Sequence, residues 1–187
     1  MYKILSLVFL LYLFSIGQDT VNNNQPKSVD KDNTFLLEFT DVVSVDGTDK
    51  KELYKRAILW FAECFKNSNE VIQVKDQEAG EIVGKGNFVY SHNTSIQACR
   101  EGVINFTIKI YTKDGRYKYI ISDFYHKAYN PSCSFGDLNT AEEREKYLTN
   151  KKHLNKLIKK TRQTIETTII NLKDFMNRAT ESQKDNW

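Results

Sequence analysis

The segment VINFTIKIYTKDGRYKYIISDF, ending at Phe124, holds the one carboxylate whose place in the chain suggests a chemical use. Asp114-Gly115 is a preferred two-residue hairpin turn, and both flanks alternate apolar with polar residues. With Lys113 opposite Arg116, Ile110 faces Tyr119, Ile108 faces Ile121, Phe106 faces Asp123 and Ile104 faces Tyr125. Asp123 then lies on an apolar face, where desolvation raises a carboxyl pKa and suits the group to proton transfer. The competing and preferred reading is a bulge near the strand end that turns Phe124 inward and Asp123 outward. No partner base accompanies the acid.

The remaining reactive residue types are scattered. His92, His126 and His153 make no HExxH spacing, and the acidic run Asp30-Lys31-Asp32-Asn33 lacks the glycine and terminal glutamate of a calcium loop. No metal site and no cofactor are expected. Gly84-Lys85-Gly86 lies inside a strand and lacks the later Gly-Lys-Ser/Thr of a phosphate loop, so it reads as sheet geometry. No nucleophile elbow surrounds any serine. Catalytic residues are therefore expected to be none, and the chain is read as a non-enzyme.

Cations are the better candidates for binding. On the hairpin face opposite the core, Lys109 and Lys118 stand among Val103, Tyr111, Ile120 and Phe124, and Lys85 and Asn87 join them from the preceding strand. A second basic group, Lys151, Lys152, Lys156, Lys159, Lys160 and Arg162, opens the last helix. Such a run fits an anionic lipid surface, a polysaccharide or an acidic protein, and equally fits a solvated helix face. Lys85, Asn87, Lys109, Lys118, Lys156 and Lys160 are the candidate binding residues.

The elements that must position these side chains follow from periodicity. Phe35, Leu37, Phe39, Val43 and Val45 recur at period two from Thr34 to Val45, with Asp41 the one polar member of that face. Asp49 and Glu52 form a capping-box-like start to a helix over Asp49 to Lys66, whose stripe is Leu53, Ala57, Trp60, Phe61, Cys64 and Phe65. Cys64 is expected to be buried. Asn67-Ser68-Asn69 ends that helix, Val71, Ile72 and Val74 make a short strand, and a strand with Ile82, Gly84, Gly86, Phe88 and Tyr90 precedes the hairpin. Residues Glu142 to Tyr147 suggest a short helical turn. A long helix is predicted from Asn150 to Ala179, with Leu154, Ile158, Thr161, Ile165, Thr168, Leu172 and Phe175 as its stripe. Four half-apolar strands need that helix as a cover.

Met1 to Gly17 reads as a signal peptide: Lys3, an apolar run from Ile4 to Phe14, and Ser15 and Gly17 as the small residues before a cut. The run is short for a membrane span, and the alternative is an uncleaved anchor. Export predicts a periplasmic or secreted protein beginning at Gln18. Residues 18–33 are polar and asparagine-rich and are read as a flexible arm. Residues 34–181 form one domain and 182–187 a tail. The chain carries 27 Lys+Arg against 24 Asp+Glu, a net charge of +3 that falls to +2 when Lys3 leaves with the leader. That balance lacks the basic excess of a dedicated nucleic-acid binder. Three cysteines in an oxidising compartment suggest one disulfide, Cys99 with Cys133 at the open end of the hairpin. The alternative is two separate small apolar side chains.

The stretch ELYKRAILWFAECFKNSNEVIQVKDQEAGEIVGKGNF followed by GVINFTIKIYTKDGRYKYIISDF resembles the domain of unknown function 4468 family. The resemblance covers roughly Phe35 to His126. It rests on Tyr54, Trp60 and Phe61 in the helix, on Glu78-Ala79-Gly80 with Ile82, Gly84, Gly86 and Phe88, and on Asp114-Gly115-Arg116-Tyr117 ending in Asp123-Phe124. The resemblance implies an exported bacterial protein with a TATA-binding-protein-like fold, hence α+β: strand, helix, four antiparallel strands, helix, in a curved sheet with both helices on one face. It brings no activity and no catalytic residues. A TATA-binding protein uses a duplicated saddle on the minor groove, whereas one half of it in an exported chain gives no warrant for nucleic acid.

The function expected from sequence is an exported binding or self-association module acting through the open sheet face or the basic last helix. Its partner is an envelope protein or a second copy, with membrane-surface contact a weaker expectation. The alternative is a small-molecule or lipid binder whose cavity lies between sheet and long helix, opened by Gly84 and Gly86.

Overall fold

The computed structural model describes residues 37–65, 68–91, 101–140 and 151–178. The chain runs β1 (Phe39–Ser44), α1 (Lys50–Cys64), α2 (Ser68–Val71), β2 (Ile72–Asp76), β3 (Glu81–Tyr90), β4 (Gly102–Lys113), β5 (Arg116–Ala128), a 3-10 turn (Pro131–Cys133), β6 (Gly136–Asp137) and α3 (Lys151–Asn177). All strands pair antiparallel in the order β1-β5-β4-β3-β2. β6 adds to β5 at Tyr125 and His126, beyond the last residue that β1 pairs. The order is that of an α+β sheet with two main helices, as the periodicities predict. Two small elements, α2 and β6, are additions that their lengths of four and two residues hide from pattern reading.

The hairpin turn is fastened rather than free. Gly115 adopts φ 71, which a β-carbon disfavours, and its amide donates to the Thr48 carbonyl while its carbonyl accepts from Val45 N–H, both at 2.8 Å. The Asp114 carboxylate accepts from Lys50 N–H at 2.7 Å, and Asp49 accepts from Glu52 N–H at 2.7 Å. Two carboxylates thus meet the exposed amides at the start of α1.

Both helices cover the same sheet face. Leu53, Ala57, Trp60 and Phe61 of α1 and Leu157, Ile165, Ile169, Leu172 and Met176 of α3 share one core with Ile82, Ile104, Ile108, Ile110, Tyr119 and Ile121. Gly84 and Gly86 make room on β3, and aromatic rings occupy the room. A β-carbon at Gly84 would stand 2.5 Å from the Phe61 ring, and one at Gly86 would stand 2.6 Å from Phe106 and 3.0 Å from Phe65. The expectation that these glycines open a ligand cavity is corrected here: they admit α1 and a neighbouring phenylalanine instead.

Gly102 marks a tighter approach, between backbones. A β-carbon there would collide with the Lys127 carbonyl oxygen and lie 2.7 Å from Ala128 Cα. Since neither atom moves without the strand, Gly102→Ala is expected to lower stability by about 1–3 kcal/mol, read as a shifted urea midpoint. Gly84→Ala, whose clash is with a ring, is expected to cost less.

Cys64 is exposed at the last turn of α1, contrary to its expected burial. Its Sγ lies 3.3 Å from Asn171 Oδ1, and partial desolvation followed by the nearby Glu63 charge raises the thiol pKa. The predicted turn over Glu142 to Tyr147, the flexible arm, the leader and Cys99 lie outside the described residues. None of the described helices is long and apolar enough to cross a membrane.

Candidate functional site

The strand register assigns each candidate side chain to a face. Lys113 pairs with Arg116, Ile110 with Tyr119 and Ile108 with Ile121, as the turn requires. Beyond Thr107 the pairing shifts, so that Asn105 faces Tyr125 and Ile104 faces His126. Asp123 and Phe124 together oppose Phe106, which is a bulge, and Asp123 sits at its hinge with φ 58. Aspartate tolerates this left-handed conformation better than most residues do. Phe124 turns fully inward and stacks on Phe106 at 5.8 Å, while Asp123 is exposed. The acid-base use of Asp123 fails on that exposure, and Phe124 leaves the open face.

A one-residue insertion exchanges the faces of everything beyond it. Tyr125 becomes 48% exposed, and His126 becomes fully buried on the core side. The amide of Phe135 donates to His126 Nδ1 at 3.1 Å, which leaves the ring proton on Nε2, where no partner stands among the described residues. Protonating Nδ1 would break that bond and bury a charge. Desolvation accordingly pushes the His126 pKa down from 6.5 to about 4. The neutral ring supports folding fully above the unfolded value, and that support is lost as pH falls from 6.5 through about 4. The expected loss is roughly 2–3 kcal/mol, and a His126→Phe variant is expected to have a flatter urea-midpoint profile across that window.

Asp41, the one polar residue on the core face of β1, finds a cation from α3. Lys173 Nζ donates to Asp41 Oδ2 at 2.8 Å and lies 5.8 Å above the Tyr119 ring, while Asp41 Oδ1 accepts from Val42 N–H at 2.8 Å. Tyr117 and Tyr119 point their hydroxyls into this buried region without partners among the described residues. Burial first, then the Asp41 charge, holds the Tyr119 phenol well above its usual pKa, and burial with Tyr119 and Asp41 does the same for Tyr117. Neither tyrosine is a usable base.

The open face is where the candidate cations come together. Lys85, Asn87 and Lys118 are exposed, and Lys109 is half-buried beside Ile120. Val42, at 55% exposure, and Val89, at 63%, add apolar surface, and no described element packs on this face. Lys156 and Lys160 are exposed on α3, a separate site on the opposite layer. No described group of three or more His, Cys, Asp or Glu side chains stands ready for a metal ion.

At the hairpin end the open face dips into a groove of about 490 Å³ bordered by Val42, Tyr111, Lys113, Arg116, Lys118 and Ile120. No acid borders it. The Tyr111 hydroxyl is held from the β3 side by Glu81, and desolvation followed by that carboxylate raises its pKa. A second groove, about 510 Å³ on α1, mixes Asp49 and Glu52 with Lys51 and Lys55, and both acids already serve α1. Lys113 and Arg116 were missed as site residues because cations flanking a turn read as solvent-facing; the hairpin register already sets them beside Lys118, and β1 completes the groove with Val42.

Residues 39–127 match the model of a domain of unknown function (DUF4468) with TBP-like fold. Solved structures similar to this chain include two bacterial proteins. A DUF4468 family protein from Bacteroides ovatus aligns with TM-score 0.57 and 14% identity, over 80% of this chain and 97% of its own. A TBP-like protein from Parabacteroides distasonis aligns with TM-score 0.59 and 17% identity, over the same shares. No curated protein matches this chain. The sheet from β1 to β5 with α1 packed on it thus matches the DUF4468 domain model and has the TBP-like fold.

Proposed function

We propose that this chain is an exported, non-enzymatic module that binds an anionic partner through its open sheet face. The observation that carries this reading is a sheet face that no described element covers: both main helices pack on the other side, and this one presents Lys85, Asn87, Lys109 and Lys118 among exposed valines and Tyr125. Pairing two copies face to face would set Lys109 and Lys118 near their own equivalents, so an acidic partner suits the surface better than a second copy. Export is supported by Lys3, the apolar run to Phe14 and the small residues at Ser15 and Gly17. The non-enzymatic reading is supported by the outward turn of Asp123 and by the full burial of His126.

A Cys99–Cys133 bridge belongs to the same reading. Gly102 pairs with Ala128, and Tyr129 N–H donates to the Glu101 carbonyl at 3.0 Å, so the segments leading to the two cysteines leave one end of the sheet together. Alkylation followed by mass measurement is expected to label only Cys64 before reduction and all three cysteines after it.

The binding surface is tested by capture from envelope extract. A Lys109→Glu/Lys118→Glu variant is expected to lose the partners that wild type retains, and Lys156→Glu/Lys160→Glu to keep them. Loss confined to the second variant would move the function to α3 and sink the open-face reading.

A further inference from the structure

Lys113, Arg116 and Lys118 concentrate positive charge around one groove of a chain whose charges otherwise nearly balance. None of the three has an ion-pair partner within 4.0 Å among the described residues. Lys109 extends the same strip, two residues before Tyr111 on β4. Holding like charges together without counter-ions is unfavourable, and an anion placed among them relieves the repulsion. Between the cations the groove is apolar: Val42 is largely exposed, and Ile120 and Tyr111 are half-buried, the latter fixed by Glu81. The volume falls within the range of small-molecule clefts.

Resting on the open-face reading, we propose that this groove binds a small free amphipathic anion. The apolar body lies along Val42, Tyr111 and Ile120. The anionic head is held at the hairpin end by Arg116, which offers two parallel donors to a carboxylate, with Lys113 and Lys118 beside it. Lys113 and Arg116 are a cross-strand pair next to the fastened Asp114-Gly115 turn, so the head site is built on backbone that is already fixed.

The test uses protein expressed from its full-length sequence, labelled for amide NMR and titrated with decanoate below its micelle concentration. Saturable shifts are expected at Val42, Tyr111, Lys118 and Ile120. Arg116→Glu/Lys118→Glu and, separately, Tyr111→Ser are each expected to weaken binding about tenfold with the unfolding midpoint retained, because these side chains are exposed or half-buried. Lys156→Glu/Lys160→Glu is expected to leave binding unchanged. The proposal is overturned by equal binding of decyltrimethylammonium, which would show an apolar site indifferent to charge, or by acetate binding as tightly, which would show a bare ion site. Shifts on α3 instead of the groove, or shifts appearing only with anionic phospholipid vesicles, overturn it too. Absence of saturable shifts alongside Lys109/Lys118-dependent envelope capture removes this ligand class and leaves the open-face reading standing.

Discussion

Trp60→Ala is expected to lower folding stability by about 3–5 kcal/mol, measured as a fall in urea midpoint with unchanged slope. The indole is fully buried and meets Phe61 and Phe65 edge-on at 5.0 and 6.1 Å. Phe61 in turn fills the space over Gly84, so truncating Trp60 loosens the ring that seats α1 on β3. Its Nε1 also donates to Asn171 Oδ1 at 2.8 Å, which ties α1 to α3. Trp60→Phe separates the two contributions: it keeps most of the packing, and its cost is expected to be about 1–2 kcal/mol. For a domain with a total of about 5–15 kcal/mol, the alanine variant loses a large share of its stability. An alanine variant no weaker than the phenylalanine one would show that ring packing does not carry this junction.

Arg56→Ala is expected to cost a comparable 3–5 kcal/mol, for a different reason. Arg56 is only 4% exposed, and its guanidinium spans two helices: Nε donates to Glu52 Oε1 at 2.9 Å and Nη1 to the Met176 carbonyl at 2.8 Å. That carbonyl belongs to the last turn of α3, where unpaired acceptors and the negative end of the helix dipole favour a cation. Truncation removes one donor from each partner inside the protein. A Glu52→Leu/Arg56→Met double variant removes both charges and is expected to recover much of the loss. Urea melts of Glu52→Leu, Arg56→Met and the double variant give the coupling energy, and additive losses would mean that the pair does not act as a unit.

Local pattern carried much of this fold and little of its long-range chemistry. The stripe of α3 and the hairpin register from Lys113 to Thr107 were legible, because a 3.6-residue period and a two-residue turn each fix a face without outside help. The bulge near the strand end was legible as the preferred reading over regular alternation, but its exchange of the faces of Tyr125 and His126 was not. Its cause is the competition between Phe124 and Asp123 for a place opposite Phe106, which only the packed core decides. Tyr125 and His126 changed faces with it. Asp41 stood out as polar on an apolar face, but Lys173 lies 132 residues away and no periodicity connects them. Arg56 was hidden for the same reason, since its meaning depends on where α3 ends. Lys109 and Lys118 could be assigned to the open face by alternation, whereas the groove that Lys118 borders needed β1 placed beside β5 to bring in Val42.

Asp41 has one more consequence, for the outer border of the sheet. β1 is the last strand on its side, and a terminal strand with free amides is a template on which another sheet can grow. The Val42 N–H is satisfied by the adjoining carboxylate, and the other oxygen of that carboxylate is held by Lys173. One side chain thus fastens the long helix and withdraws one donor from the border, so part of the edge's protection is coupled to the docking of that helix.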